Sequence, residues 1–310
     1  MKGVLKSLNK SYGGSIVPRE KLNKKSLEQL EVFFANFKVP KKEQEEFQVF
    51  VAFNEQIPHM LIRSKNPLSL LKTRFIARVK SWHAASPLPF GQFVKILGKE
   101  GDSRTESAVI LHEYNVDTKP FSAKVMKCLP AAGAKWSIPP QEAAKRVDLR
   151  AIPVCSVDPP GCKDIDDALH CRVLPNGNIE VGVHIADVTH FVQSGSELDR
   201  EAARRCTTVY LVGQRTDMVP KLLTENLCSL VSDVDRLAFS VIWEFDPKTF
   251  KVKSLKFHKS IIRSVASLTY YQAQDRIDNP SDSSELTLSL RGLLRLARHL
   301  RQGRIDKGAL

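Results

Sequence analysis

With 310 residues, 42% of them apolar, the chain suits about two packed domains, and no apolar run reaches the roughly 18–20 residues needed to cross a bilayer. Lys and Arg number 47 against 34 Asp and Glu, a net charge of +13 that favours a polyanionic partner such as nucleic acid, or an anionic membrane. The six cysteines, Cys128, Cys155, Cys162, Cys171, Cys206 and Cys228, form no C-x-x-C pair, so no zinc site is expected, and reduced thiols in an intracellular protein are the natural reading.

Residues 1–82 predict a small, basic β-barrel. Residues 1–80 hold 16 Lys/Arg and 7 Glu with no Asp, so most of the excess charge lies here. Gly3–Leu8 and Tyr12–Val17 read as strands, and Ser26–Phe37 has the helical spacing of Leu27, Leu30, Phe33, Phe34 and Phe37. Lys41–Glu46 reads as a charged loop. Phe47–Phe53 alternates as a strand with one buried face, and His59–Arg63 and Arg74–Trp82 are further strands around a helical turn at Leu68–Leu71. Five short strands with a basic surface match an OB or cold-shock barrel. Within it, Lys2, Lys6, Lys10, Tyr12, Arg63 and Lys65 are candidates for tracking a single nucleic-acid strand along a positive groove.

Residues 83–147 are rich in Pro and Gly and read as a connector with apolar stretches at Phe93–Leu97 and Ala108–Leu111. From Asp148 the pattern becomes mixed α/β. Ala168–Leu174 and Ile179–Val188 read as strands around the hairpin signal Asn176-Gly177. Ser196–Cys206 reads as a capped helix, Thr207–Val212 as a strand, Leu237–Glu244 and Lys251–Arg263 as a second hairpin, and Leu286–Gln302 as an amphipathic helix ending before Gly303. Both ends are abrupt, which predicts a piece of a longer protein or a truncated gene model.

The segment Val157–Leu169, VDPPGCKDIDDAL, concentrates Asp158, Asp164, Asp166 and Asp167 within ten residues. Four carboxylates so close repel one another, and a divalent cation is the simplest way to offset that. Mg²⁺ accepts carboxylate oxygens, keeps several waters and shares substrate phosphates. Pro159-Pro160-Gly161 forbids helix and permits a bend that folds Asp158 back toward the other three. In a regular strand Asp166 and Asp167 would face opposite ways, so both reach one site only from irregular backbone. By spacing alone the cluster is compatible with a catalytic metal centre, another metal site or a solvated acidic loop; it lacks the EF-hand pattern. A two-residue turn at Asn176-Gly177 would set Asp187 opposite Asp166, a candidate to support the site from behind. His184 and His190 read as structural, and Arg204 and Arg205 as either phosphate-facing or salt-bridged.

Ser156–His170 with Asn176–Val192 resembles the RNB catalytic domain of the RNase II/RNase R family, as do Thr207–Leu211, Met218–Leu230 and Asp235–Glu244. Residues 1–82 resemble that family's second cold-shock domain, and Phe90–Gly101 the segment after it. The PPGC form is nearest the branch that supplies the catalytic subunit of the eukaryotic RNA exosome. The resemblance implies an OB/cold-shock β-barrel followed by a mixed α/β RNB-type domain truncated at its C-terminal side: a barrel at 1–82, a connector at 83–147 and the N-terminal half of the catalytic domain at 148–310.

It further implies 3′-to-5′ hydrolysis of single-stranded RNA to nucleoside 5′-monophosphates by two Mg²⁺ ions, with no other small-molecule cofactor. Asp158 and Asp167 would be the leading metal ligands, and Asp164 and Asp166 would complete the site or hold the terminal nucleotide. Tyr210 falls where the family stacks a tyrosine on the 3′-terminal bases; by sequence pattern alone a core strand tyrosine is the favoured reading. The implied partners are single-stranded RNA and exosome core subunits, with no membrane. The implied location is the nucleus, including the nucleolus, and the cytoplasm. The rest of the catalytic domain would lie beyond Leu310, which leaves a non-catalytic RNA-binding fragment or exosome adaptor as the alternative.

Overall fold

The computed structural model describes residues 11–65 and 67–309. The expected strand Gly3–Leu8 and the candidate cations Lys2, Lys6 and Lys10 lie outside the described residues. Contacts divide the chain into two compact units. One runs to Lys119 and includes Val209–Thr216; the other holds Pro120–Thr208 and Asp217 onward.

The first unit is built on a closed barrel of β1 (Ser11–Val17), β2 (Phe47–Ala52), β3 (Met60–Arg63), β4 (Thr73–Ser81) and β5 (Phe90–Lys99), in the order β1-β2-β3-β5-β4. Tyr12, Ile16, Phe50, Met60, Ile62, Phe75 and Ala77 fill its interior. The expectation that Tyr12 meets RNA is therefore corrected: its ring belongs to the core and is only 5% exposed. Helix α1 (Lys24–Asn36), capped by the Asn23 side chain on Ser26 N–H, lays Leu30, Phe33 and Phe34 against Phe47, Val49 and Leu61. Thus β2 buries both faces, rather than one: Phe50 and Ala52 turn inward while Phe47 and Val49 turn outward under α1.

The fifth strand is Phe90–Lys99, within the stretch expected to be a connector. Its ladder with β4 shifts register at three places, between Arg74 and Phe75, Ile76 and Ala77, and Val79 and Ser81. Bulges bend a strand and let a small barrel close, and they also break the alternation that marks a strand in sequence. A further unexpected element, α2 (Ser103–Glu113), is capped by Asp102 and buries Val109 and Leu111. It is pinned to the barrel by Glu113, which accepts from Gly13 N–H at 2.6 Å, and by Glu106, 3.0 Å from Arg74.

The second unit centres on a six-stranded mixed sheet. Its strands are β6 (Val147–Asp148), β7 (Val154–Asp158), β8 (Asp167–Val173), β9 (Ile179–Ala186), β12 (Asp235–Phe245) and β13 (Val252–Thr269). The intervening β10 (Val209–Leu211) and β11 (Gln214–Thr216) pair only with each other, and the sheet order is β12-β9-β8-β7-β13-β6. Helix α3 (Glu197–Arg205), capped by Ser196, places Leu198 and Ala202 in one core with Val154, Ala168, Ala238 and Ile262. On the opposite face, α4 (Tyr270–Asp278) and α5 (Glu285–Ile305) cover Cys155, Leu268, Cys171 and Val181 with Ala273, Leu290 and Leu296. Helix α5 continues through Gly303, because a single glycine in an exposed turn imposes only a modest helical penalty.

The β8–β9 connection differs from the two-residue turn expected. Leu174 N–H donates to Asn178 O and Gly177 N–H to Leu174 O, so three residues, Pro175, Asn176 and Gly177, form the loop. Gly177, at φ +81°, takes the left-handed position that such a loop requires. One added residue shifts every partner: Asp167 faces Ile185 and Ala168 faces His184. Asp187 therefore does not stand opposite Asp166, and that expectation is corrected.

Candidate active site

The acidic turn joins two adjacent strands. Asp158 ends β7, and Asp167 begins β8. Between them Cys162 N–H donates to Pro159 O at 3.2 Å, and Gly161 lies at φ +80°, so Pro-Pro-Gly makes the reversal anticipated from the sequence. Asp166 sits in irregular backbone immediately before β8, whereas Asp167 is already its first residue, so the expectation that both aspartates precede the strand holds for Asp166 alone.

Buried partners hold the rest of the turn. Ser229, fully buried, donates its hydroxyl to Lys163 O at 2.7 Å and accepts from Ile165 N–H at 3.1 Å. Leu230 N–H bonds Ile165 O at 2.8 Å, and Arg236 Nε donates to Ser229 O at 2.7 Å. The segment Met218–Leu230 thus acts on the aspartates through the backbone of the turn. Sequence spacing could not show this, because Ser229 lies far along the chain and carries no charge.

Three carboxylates share one neighbourhood. Burial, together with the charges of Asp167 and Asp164, pushes the Asp158 carboxyl above its ordinary range; the nearby Ser156 hydroxyl pulls the other way without reversing the shift. Asp158 Oδ2 is buried and accepts no hydrogen bond. Asp166 is exposed, and its charge adds to burial, with Asp187, in pushing the Cys228 thiol up. Among the described residues, no three His, Cys, Asp or Glu side chains converge as a ready-made metal cage. The donor set nevertheless fits a hard divalent cation: all-carboxylate, with one buried oxygen lacking a donor. Mg²⁺ commonly takes only one or two carboxylates, leaving other positions to water and phosphate.

Asp187 is held elsewhere. Burial alone would raise its carboxyl, but Lys259, Thr189 and Arg146 outweigh burial and hold it below the usual range. Arg146 Nη2 donates to Oδ2 at 2.7 Å, Thr189 Oγ1 donates to Oδ1 at 2.7 Å, and Lys259 Nζ also bonds Oδ1. His184 belongs to a buried polar chain, between His170 at 2.8 Å and Ser240 Oγ at 2.7 Å. Burial, then His170, pushes it down to about 3.

The candidate RNA contacts divide. Tyr210, on the β10–β11 hairpin, is 62% exposed and so is not a core tyrosine. Lys65 is exposed, whereas Arg63 is bound to Glu46 at 2.7 Å and Glu43 at 3.1 Å. Arg204 pairs with Glu201, and Arg205 is buried over the Phe121 ring while bonding Glu201 and Asp217 O. Sequence reasoning missed Tyr270 and Tyr271, both exposed at the start of α4. The preceding residue, Thr269, is the register partner of Asp158 across β13 and β7. Only the parallel pairing of strands more than a hundred residues apart brings these tyrosines beside the acidic turn.

Comparison with known proteins agrees with this architecture. The RNB domain matches residues 146–310, and the Dis3-like cold-shock domain 2 (CSD2) matches residues 47–115. The exosome complex exonuclease RRP44 of Mus musculus is 52% identical over 262 residues, 84% of this chain and 27% of that protein. RRP44 homolog A of Arabidopsis thaliana is 51% identical over 264 residues, 84% of this chain and 28% of that protein. The chain therefore spans just over a quarter of the length of these relatives. In three dimensions, Mycoplasma genitalium RNase R in complex with ribose methylated single-stranded RNA matches 97% of this chain and 44% of its own, at TM-score 0.72 and 22% identity. Yeast Ssd1, a pseudonuclease, matches 96% of this chain and 34% of its own, at TM-score 0.70 and 21% identity. These two likenesses concern the fold. With the RNB domain matched over more than half its residues, behind an OB-like cold-shock barrel, the chain belongs to the RNB family.

Proposed function

We propose that the chain carries the metal-binding part of a 3′-to-5′ hydrolytic exoribonuclease acting on single-stranded RNA. The carrying observation is Asp158: a carboxylate oxygen buried without a hydrogen-bond donor, with Asp164 and Asp167 close enough to oppose its ionisation. Such an arrangement is costly unless a cation completes it. The high identity to exosome complex exonucleases supports the same reading.

In the proposed reaction a water oxygen bonds to the terminal phosphorus while the bond from phosphorus to the preceding 3′ oxygen breaks. The water gives up a proton and the leaving oxygen gains one. The products are a nucleoside 5′-monophosphate and an RNA one nucleotide shorter with a free 3′ hydroxyl. A pair of Mg²⁺ ions, when bound, would activate the water and stabilise the leaving oxygen. Asp158 and Asp167, with Asp164, would hold that charge. Asp166, exposed beside them, would orient the terminal nucleotide. Tyr210, Tyr270 and Tyr271 offer aromatic faces on which bases stack without regard to sequence. Exposed cations of the barrel, Lys65 among them, would track the phosphates. The names of the relatives extend the proposal to the exosome complex as partner; exosome core subunits and a nuclear location are part of the proposal on the family resemblance alone.

The fold alone does not decide activity, since a pseudonuclease shares it. Digestion of 3′-labelled and 5′-labelled RNA with Mg²⁺, comparing the wild type with Asp166→Asn, tests the proposal. Stepwise shortening from the 3′ end by the wild type alone is expected. If both proteins bind RNA and neither shortens it, the chain is an RNA-binding fragment.

A further inference from the structure

We infer that Arg146, Asp187 and Lys259 form a positioning device that sets Asp166 through the backbone of Ala186. The inference rests on the proposed hydrolytic site and assigns it residues whose side chains do not touch the RNA.

Asp166 precedes β8, where regular pairing has not begun, yet its carbonyl accepts from Ala186 N–H at 2.9 Å. Ala186 ends β9, and the next residue is Asp187. Asp187 is fastened on three sides. Its N–H donates to Leu237 O at 3.0 Å. Arg146 Nη2 reaches Oδ2 at 2.7 Å, while Lys259 and Thr189 both donate to Oδ1. Arg146 is itself oriented by Glu142, which accepts from its Nε at 2.6 Å. Displacing Asp187 would therefore break charged hydrogen bonds to two other segments, so Ala186 N–H has a fixed direction. Asp166, which accepts it, inherits that direction.

The arrangement is poorly suited to stability alone. The side chains of Arg146 and Asp187 are 3% and 2% exposed, and burying an ion pair this deeply recovers its desolvation cost only with complete hydrogen bonding. Hydrogen bonding is not complete, because Arg146 Nη1 is buried with no partner. What the node does supply is directional rigidity at the end of β9, one residue from the bond that holds Asp166. Ser229 fastens the same turn from the other side, at Lys163 and Ile165. Asp166 thus lies next to segments restrained on both sides.

Lys259 gives the cleanest test, because its side chain is 44% exposed and its removal leaves no buried hole. Lys259→Ala is expected to lower kcat for RNA shortening by about 10- to 100-fold, the usual loss when a partner supporting a metal site is removed, with KM and RNA affinity in chelator unchanged. Lys259→Arg restores the charge and should recover kcat. Asp187→Asn should act as Lys259→Ala does and also speed amide exchange at Ala186 relative to Val183 on the same strand, read by NMR. If kcat stays at the wild-type value in both Lys259→Ala and Asp187→Asn while only the melting temperature falls, the node is merely structural and the inference is overturned. If the wild type cuts no RNA, the hydrolytic reading fails, but exchange at Ala186 still decides the positioning claim: unchanged exchange in Asp187→Asn overturns it, and faster exchange supports it.

Discussion

The acidic turn of the second unit and the basic surface of the barrel handle charge in opposite ways. In the turn, Asp158, Asp164 and Asp167 lie close to one another, and burial adds to their mutual repulsion at Asp158. On the barrel, Arg63, a cation singled out in the sequence, is neutralised nearby by Glu43 and Glu46, and Arg74 likewise by Glu100 and Glu106. Each region is rich in one sign of charge. The energetic situations differ. Like charges held together in a partly buried place need a counter-ion, whereas cations already paired at the surface contribute little that is specific. The turn therefore carries the chemical argument for the proposed function, and the barrel adds to it only the excess of Lys and Arg in residues 1–80.

The largest expected effect separates the two regions by activity. Asp166→Asn should lower the rate of RNA shortening by roughly 100- to 10,000-fold, the range for losing a positioned catalytic group, while RNA binding in chelator is retained. A variant that kept wild-type activity would remove the turn from the mechanism.

Ser229→Ala should come next. It deletes the hydroxyl that serves Lys163 O and leaves Ile165 N–H buried without a partner, at a cost of about 1–3 kcal/mol in chemical denaturation. The apparent affinity for Mg²⁺ should fall with it. Unchanged stability would mean that water replaces the hydroxyl and that the turn is less closely held than its hydrogen bonds indicate.

Asp158→Asn should have a smaller and opposite effect on stability. The folded carboxyl is shifted upward, so the folded state binds its proton more tightly than the unfolded state does. Its ionisation therefore costs stability as pH rises from about 4, the ordinary carboxyl value, through the folded value. In chelator, Asp158→Asn should melt higher than the wild type at neutral pH, and the difference should close as pH falls toward the ordinary carboxyl value. Added Mg²⁺ should raise the melting temperature of the wild type and leave the variant unmoved. A variant that melts lower in chelator would contradict the picture of an uncompensated charge.

The smallest effect is expected on the barrel. Arg63→Ala should leave the melting temperature unchanged and reduce the salt dependence of RNA binding only slightly, since its charge is already answered by Glu43 and Glu46. A steep loss of affinity would show that RNA displaces those glutamates and would erase the contrast.

Much of the fold and of the acidic turn is legible in the amino-acid sequence. Local chemistry dictates the Pro-Pro-Gly reversal, the carboxylate cluster, the Ser196 cap and the β12–β13 hairpin, because each depends on residues near one another in the chain. Periodicity also indicates α1, whose Leu30, Phe33 and Phe34 are buried as their spacing requires. What stays hidden depends on distant partners. Phe90–Lys99 becomes a barrel strand only because bulges against β4 let the sheet close, and the same bulges scramble its alternation. Tyr12 carries a polar tip that suggests a surface, yet closure of the barrel turns it inward. One extra residue in the loop at Pro175–Gly177 moves Asp187 away from Asp166 and gives it to Arg146 and Lys259. The sequence by itself determined which residues could repel one another enough to require a cation. Only the tertiary structure decided which backbone holds them there, because Ser229, Ala186 and Thr269 reach the turn through hydrogen bonds and strand register, which leave no mark in composition or spacing.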